Sequence, residues 1–158
     1  MKRNEETLLI DGPVGAIETI VENPGAPRGI ALIAHPHPLF GGTHTNKVTQ
    51  TLARTFLRLG YAALRPNFRG VGQSAGTHDD GRGECADLLA VIAEAKRRFG
   101  DLPVALAGFS FGAYVQTRVA QQLADSGHPA QRLVLVGTAA GHVEGARQYA
   151  TRAVPADT

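Results

Sequence analysis

The chain has 158 residues, of which 43% are hydrophobic, and its formal net charge is +2. This length and apolar content are typical of one domain with its own core. The nearly balanced charge argues against nucleic-acid binding, and the chain has no run of about 18 apolar residues that would cross a membrane and no secretory signal at its start. The single cysteine, Cys85, excludes an internal disulfide and favours a reducing compartment, so we expect a cytoplasmic protein.

The first sixty residues alternate between strand and helix patterns. Strand-like runs at 6–10 and 16–21 flank Asp11-Gly12-Pro13, which predicts a hairpin. Residues 30–34 are a short apolar run, typical of a strand buried on both faces. A loop at 35–43 follows, and apolar residues at spacings of three and four then predict a helix at 46–59, which Gly60 ends.

The same alternation continues through the rest of the chain. We predict a strand at 61–65, a loop at 66–80, a helix at 84–99, a strand at 102–107, a helix at 113–124 and a strand at 133–136, followed by a weakly patterned segment. Cys85 lies on the apolar face of the second helix, which favours a core residue over a nucleophile. Lys96-Arg97-Arg98 lies at the end of that helix, where cations suit the helix dipole.

Alternating strands and helices indicate an α/β fold. Such an order predicts a mostly parallel sheet with helices on both faces, here built by one domain over residues 1–158. In parallel sheets chemistry collects at the carboxyl ends of the strands. We therefore expect the loops at 35–43, 66–80 and 108–112 to lie close together.

The most informative motif is Gly108-Phe109-Ser110-Phe111-Gly112, which lies between a predicted strand and a predicted helix. G-x-S-x-G in that setting is typical of a nucleophile elbow, a sharp turn that presents a serine hydroxyl above the sheet edge. The free N–H groups and positive dipole end of the following helix point to the same place. The motif indicates a serine hydrolase; the alternative is a glycine-rich turn with an idle serine.

The pattern occurs a second time, at Gly72-Gln73-Ser74-Ala75-Gly76. This copy lies in a polar, glycine-rich loop, and no apolar helix face begins directly after it. We interpret Ser74 as a loop residue.

Histidines near these loops allow a metal site as an alternative. His35 and His37 form an H-x-H pair, and His78, Asp79 and Asp80 lie in a neighbouring loop. Such residues bind metals elsewhere, but two prolines disrupt the strand geometry that would align the histidines. We expect these histidines to shape the loop and the pocket mouth, with no metal and no cofactor.

Three segments together resemble the α/β-hydrolase superfamily, and they follow its order. They are His35-Pro36-His37-Pro38 with Gly41-Gly42, then Asn67 to Ser74, and then Gly108 to Gly112. The second segment resembles the D-x-R-G-x-G-x-S loop of this superfamily, with Asn67 in place of Asp. In detail the chain is similar to small, lidless bacterial hydrolases of the dienelactone-hydrolase-like and carboxylesterase-like type, up to about residue 140.

The resemblance implies a serine hydrolase that acts on an ester or related acyl compound. Ser110 would be its nucleophile, and the backbone N–H of Phe111 would be one oxyanion donor. The second donor would come from the loop after the third strand, where the backbone of His37 matches the family position best. Leu39 and Phe40 are the alternatives, because the two prolines of this loop have no N–H.

In this family the acid and the histidine of the triad follow the serine, after later strands. Neither is evident in this chain, so we expect the family's C-terminal strands to be missing, and Asp157 is not assigned as the acid. His142, with Glu144 nearby, is a candidate base. The alternative is an inactive hydrolase-fold protein that binds small molecules or a partner. An exposed sheet edge would also allow pairing with another copy of the chain.

Overall fold

A computed structural model of the chain describes residues 4–142, 148–149, 153–154 and 158, and for residues 141, 142 and 148 it describes the backbone only. The helices are α1 (Lys47–Arg58), α2 (Arg82–Phe99) and α3 (Phe111–Asp125), with a short 3₁₀ helix at Pro38–Phe40. The strands are β1 (Asn4–Gly12), β2 (Gly15–Asn23), β3 (Gly29–Ala34), β4 (Tyr61–Pro66), β5 (Val104–Phe109), β6 (Arg132–Val136), β7 (Gly141–His142) and β8 (Gln148–Tyr149).

Six of these strands form one mixed sheet in the order β1-β2-β4-β3-β5-β6. The hairpin β1–β2 is antiparallel and joins β4 antiparallel, whereas β4, β3, β5 and β6 run parallel to one another. The register pairs Ala34 with Gly108 at the carboxyl ends of β3 and β5. This confirms the α/β fold and brings the loop after β3 beside the G-x-S-x-G segment.

Helices cover both faces of the sheet, as the alternation predicts. On one face α1 packs Ala53 and Phe56 against small residues of β3, β4 and β5. On the other face α2 and α3 build the larger core, to which Leu88 and Val115 contribute. All residues of β3 and β4 are buried, which explains why β3 is apolar throughout instead of alternating. The one charged residue of β4, Arg65, is paired with the buried Glu22 at 3.1 Å.

Several predicted boundaries were wrong by two residues. Strand β5 covers 104–109 rather than 102–107. Just before it, the carbonyl of Pro103 accepts a hydrogen bond from Ile30 N–H of β3 at 2.8 Å. Helix α3 begins at Phe111 rather than at residue 113, so it starts inside the motif. Helix α2 begins at Arg82, because the left-handed Gly81 (φ 96°) starts it before the apolar pattern does.

Outcomes for the other structural predictions are mixed. Cys85 is a buried core residue of α2, and the three basic residues lie in the last turn of that helix, as expected. The weakly patterned segment contains a short strand pair, β7–β8, which the sequence did not suggest. Every helix in the described ranges is too short or too polar to cross a bilayer. The cytoplasmic location and the pairing of chains through a sheet edge remain predictions.

A buried glutamine fixes α3 to the sheet. The side-chain amide of Gln116 is fully buried and donates to Leu32 O of β3 at 2.9 Å and to Ala107 O of β5 at 3.0 Å. One side chain thus joins α3 to the two strands whose carboxyl ends carry the candidate site. The position of the helix start is set by this contact as well as by apolar packing.

Candidate active site

Ser110 is the single residue between β5 and α3, and its backbone is strained. Its φ is 56° and its ψ is −116°. A positive φ in a non-glycine residue costs about 1–3 kcal/mol and persists only where the surroundings enforce it. Here Ser110 N–H donates to Val136 O of β6 at 2.9 Å, and Ser110 O accepts from Ala139 N–H at 3.2 Å. The strand-turn-helix arrangement expected of the motif is therefore present.

Both glycines of the motif allow backbones to approach closely. A Cβ added to Gly108 would lie 2.6 Å from Ala113 N, and one added to Gly112 would lie 2.3 Å from Ala34 O and 2.5 Å from His35 O. Those distances are too short for any side chain, and the opposing atoms belong to backbone that cannot move aside easily. The start of α3 therefore packs directly on the end of β3.

The Ser110 hydroxyl has no hydrogen-bond partner among the described residues. Ser110 is half-buried, so its hydroxyl is reachable from solvent. It lies at the N-terminus of α3, where the first N–H groups of a helix have no partner within the helix. In this conformation no described residue hydrogen-bonds the hydroxyl as a base would.

His35 connects the loop after β3 to the loop after β4. Its ring is fully buried, Nδ1 donates to Pro36 O at 2.7 Å, and Nε2 accepts from Phe68 N–H at 3.0 Å. Burial lowers the pKa of His35 to about 4, against the opposing effect of the Pro36 hydrogen bond and with a smaller lowering by His44. His35 is therefore neutral at pH 7 and shapes the loop, as expected.

His37 organises the short helix that follows it. Its Nδ1 accepts from Leu39 N–H at 3.2 Å, and its carbonyl accepts from Phe40 N–H at 3.1 Å and from Gly42 N–H at 3.0 Å. The amides of Leu39 and Phe40, the alternative oxyanion donors, are therefore engaged within the loop. The His37 ring lies 4.9 Å from the Phe111 ring, between centres, which places this loop beside the serine turn.

His78 also lies at this edge, in the loop after β4 that was expected to lie close to the loop after β3. The His78 ring lies 4.7 Å from the His37 ring and 5.2 Å from the Phe111 ring. Its Nδ1 is 3.2 Å from Glu84 Oε2, and the fully buried Glu84 accepts N–H bonds from two residues of the preceding turn, Asp79 and Gly81. The signal available in the sequence was the glutamate three residues after Gly81, a spacing typical of a helix start.

The loop after β4 is held by buried polar contacts. Ser74 is buried, and its hydroxyl donates to Asn67 O at 2.7 Å and accepts from Glu18 N–H at 3.0 Å. The Asn67 side-chain oxygen accepts from His44 N–H at 2.9 Å, so the neutral amide provides the acceptor that an aspartate would offer. The interpretation of Ser74 as a loop residue is confirmed, and its hydroxyl is already used twice.

Arg69 fixes the same loop to α2. Its guanidinium makes two hydrogen bonds of 2.8 Å with the Asp87 carboxylate, which is buried. Hydrogen bonding to Asp87 raises the pKa of Arg69. A bidentate contact of this kind fixes both the distance and the orientation of the loop relative to α2.

No metal centre is found in the part of the chain that the structure describes. No three or more histidine, cysteine, aspartate or glutamate residues there are arranged to hold an ion. Both ring nitrogens of His35, one member of the H-x-H pair, already make hydrogen bonds.

For His142, the predicted base, only the backbone position is described. The backbone of His142 belongs to β7 and pairs with Gln148, but its side chain, Glu144 and Asp157 lie outside the described residues. The assignment of His142 as a base stays a prediction. Residues after β6 do pass over the serine turn, since Ala139 N–H donates to Ser110 O.

Comparison with known proteins agrees with this arrangement. A family model described as serine aminopeptidase, S33, matches residues 25–155. The chain belongs to this family of α/β hydrolases. The match includes β3 to β6 and all three loops of the candidate site.

Relatives of known structure share the fold. An α/β serine hydrolase homologue from Coxiella burnetii is 44% identical with a TM-score of 0.71, and the match covers 77% of this chain and 59% of that one. A serine hydrolase without lid from Xanthomonas campestris is 40% identical with a TM-score of 0.72, covering 76% of this chain and 57% of that one.

Curated relatives are longer than this chain. An uncharacterized protein of Rickettsia prowazekii is 37% identical over 125 residues, which are 77% of this chain and 52% of that protein. The lysophosphatidylserine lipase ABHD12 of Rattus norvegicus is 33% identical over 109 residues, which are 65% of this chain and 27% of that protein. The chain thus spans about half or less of the length of these relatives.

Proposed function

We propose that this chain carries the nucleophile of a serine hydrolase that cleaves an ester or related acyl compound, with Ser110 as that nucleophile. The observation that carries the proposal is the strained backbone of Ser110 at a strand-to-helix turn, with its hydroxyl unengaged by any described residue. Strain at one half-buried serine, enforced by glycines that admit no side chain, is typical of functional sites. Membership of a hydrolase family supports the same reaction class.

The chemistry would follow two steps. A base takes the Ser110 proton as Oγ bonds to the carbonyl carbon, and the oxygen that becomes negative accepts N–H bonds from Phe111 and, as we propose, His37. The ester bond then breaks, the alcohol leaves with the proton from the base, and water hydrolyses the acyl-enzyme. The start of α3 favours the negative charge through its dipole.

The similarity to a lysophosphatidylserine lipase favours a lipid ester among acyl substrates. Such a substrate needs an apolar surface beside the serine, because hydrocarbon gains free energy when it leaves water. The geometry of the serine turn supports the same reaction class.

A fluorophosphonate probe tests the nucleophile directly. We expect the probe to label the purified chain, Ser110→Ala to abolish labelling, and Ser74→Ala to retain it. Where esters are hydrolysed, Ser110→Ala should lower kcat by at least about 10³-fold. Equal labelling of the native chain and of Ser110→Ala would contradict the proposal.

A second experiment concerns the base. If His142 takes the serine proton, His142→Ala should slow probe labelling and ester hydrolysis together and remove the pH dependence near its pKa. Full ester hydrolysis by His142→Ala would exclude this role.

A binding protein without turnover is the second candidate function. It is favoured by the finding that no described residue activates the Ser110 hydroxyl. Clear ester hydrolysis by the 158-residue chain that is lost in Ser110→Ala would exclude it.

A further inference from the structure

We propose that Leu39 and Phe40 form an apolar lip that binds the hydrocarbon chain of the ester. This inference rests on the proposed function and names its substrate class. The two side chains are 69% and 67% exposed, and they are neighbours in the sequence. Among the described residues the other exposed large apolar side chains are dispersed: Leu9, Val14, Leu59 and Val154. Adjacent exposed apolar side chains indicate a binding surface more strongly than single ones do.

The lip adjoins the serine turn through one histidine. The His37 ring lies 4.9 Å from the Phe40 ring on one side and 4.9 Å from the Phe111 ring on the other, between ring centres. Because a 3₁₀ helix rises about 2 Å per residue, Phe40 lies about 6 Å along the helix from the proposed oxyanion donor at His37. A carbonyl held at that donor therefore has the lip within reach of a short hydrocarbon chain.

The lip is held in place by its own backbone. Phe40 N–H and Gly42 N–H both donate to His37 O, and Gly41 closes the turn with a φ of 80°. A Cβ on Gly42 would lie 2.1 Å from Pro36 O, so the loop folds tightly back on itself. The two side chains therefore point outward on a constrained turn, which lowers the entropy lost when they bind a ligand.

The lack of charged side chains in this segment favours an apolar ligand. Residues 35–46 contain no aspartate, glutamate, lysine or arginine. A charged acyl group would find no partner for its charge here, whereas a hydrocarbon chain gains about 25 cal/mol for each Å² that it buries. The surroundings thus favour esters with an apolar acyl chain over acetyl or charged acyl esters.

A chain-length series on two matched double variants tests the lip. With p-nitrophenyl acetate, butyrate, hexanoate and octanoate, KM of the native chain should fall by up to about fourfold for each methylene that the lip buries. The double variant Leu39→Ser/Phe40→Ser should flatten this dependence. Leu9→Ser/Leu59→Ser removes two apolar side chains that are 56% and 53% exposed elsewhere, and it should keep the native slope.

A binding measurement makes the test independent of turnover. Calorimetry with butanoate, hexanoate and octanoate on the Ser110→Ala variant, with and without the lip substitutions, should show the same loss of chain-length dependence. Hydrolysis that survives Ser110→Ala would overturn the proposed function, and the calorimetric series would still report on the lip. Equal slopes in the lip and control variants overturn the lip.

The oligomeric state shows whether a second copy of the chain, rather than a hydrocarbon chain, covers the lip. If sedimentation shows that native chains associate and that Leu39→Ser/Phe40→Ser makes them monomeric with an unchanged chain-length slope, the surface joins two copies and the proposal is wrong. The expected result is that the lip substitutions change the slope and leave the sedimentation coefficient unaltered.

Discussion

The five-residue pattern G-x-S-x-G occurs twice in this chain, and the two copies have opposite surroundings. Ser110 lies between β5 and α3 at a φ of 56°, half-buried, and no described residue bonds its hydroxyl. Ser74 lies in an irregular loop, is 6% exposed, and uses its hydroxyl in two hydrogen bonds. The hydroxyl of the first serine is left without a partner among the described residues, and the second serine joins the loop after β4 to β2.

The glycines differ in the same sense. Gly112 faces the backbone carbonyls of Ala34 and His35, while Gly76 faces a methyl group of the exposed Val14 side chain. One segment is fixed by rigid backbone and the other by a side chain that can rotate away. Backbone contacts, and not the motif sequence alone, therefore distinguish the strained turn at Ser110 from the loop at Ser74.

The largest expected loss of stability comes from Gly112→Ala. Its Cβ would lie 2.3 Å from Ala34 O, so we expect the free energy of unfolding to fall by more than about 3 kcal/mol. Gly76→Ala, at a φ of 92°, should cost about 1–2 kcal/mol through strain. Urea unfolding of both variants measures the difference, and equal losses would contradict this reading of the two turns.

His35 contacts Gly112 of the first segment and Phe68 of the loop that carries the second, and its burial makes stability depend on pH. The unfolded chain binds a proton on His35 at its ordinary pKa near 6.5, while the folded chain does so only near 4. Stability is therefore lost as pH falls from about 6.5 towards 4, by about 3 kcal/mol at pH 4. Denaturant unfolding at several pH values measures the slope. His35→Gln should be less stable at pH 7 and show a shallower acid loss; an unchanged slope would refute the assignment.

A smaller effect is expected from Ser74→Ala. This change leaves Glu18 N–H without its buried partner, so the free energy of unfolding should fall by about 1–3 kcal/mol. Ser126→Ala is the matched control, because that hydroxyl makes one bond at the exposed end of α3 and should cost under about 0.5 kcal/mol. Thermal or urea unfolding compares them. Similar losses in the two variants would show that the Ser74 bonds contribute little.

The smallest effect concerns strain at the serine turn. Ser110→Gly and Ser110→Ala both remove the hydroxyl, but only glycine adopts a φ of 56° without cost. We expect Ser110→Gly to be more stable than Ser110→Ala by about 1 kcal/mol, measured by urea unfolding. An alanine variant as stable as the glycine variant would mean that the turn relaxes.

Sequence patterns predicted every strand of the main sheet and all three helices, because apolar spacing reports burial directly. The order of the strands was not predicted, since pairing depends on contacts between distant residues. The flanking strand and helix separated Ser110 from Ser74. The loops of His37 and His78 were expected to lie close together, but the ring contact between the two residues was not predicted, because it depends on side-chain packing in the folded chain.

The short 3₁₀ helix at Pro38–Phe40 was also missed. Three residues are too few to show a period, and the two prolines suggested only an irregular loop.

The double hydrogen bond of Gln116 has a mechanical consequence. Moving α3 along its axis by one turn, about 5.4 Å, would break both bonds and leave a buried amide unpaired. Leucine at this position would fill the space but leave the helix free to shift, and glutamate would repel both carbonyls. The start of α3, where Ser110 lies, is thus held in one rigid unit with β3 and β5.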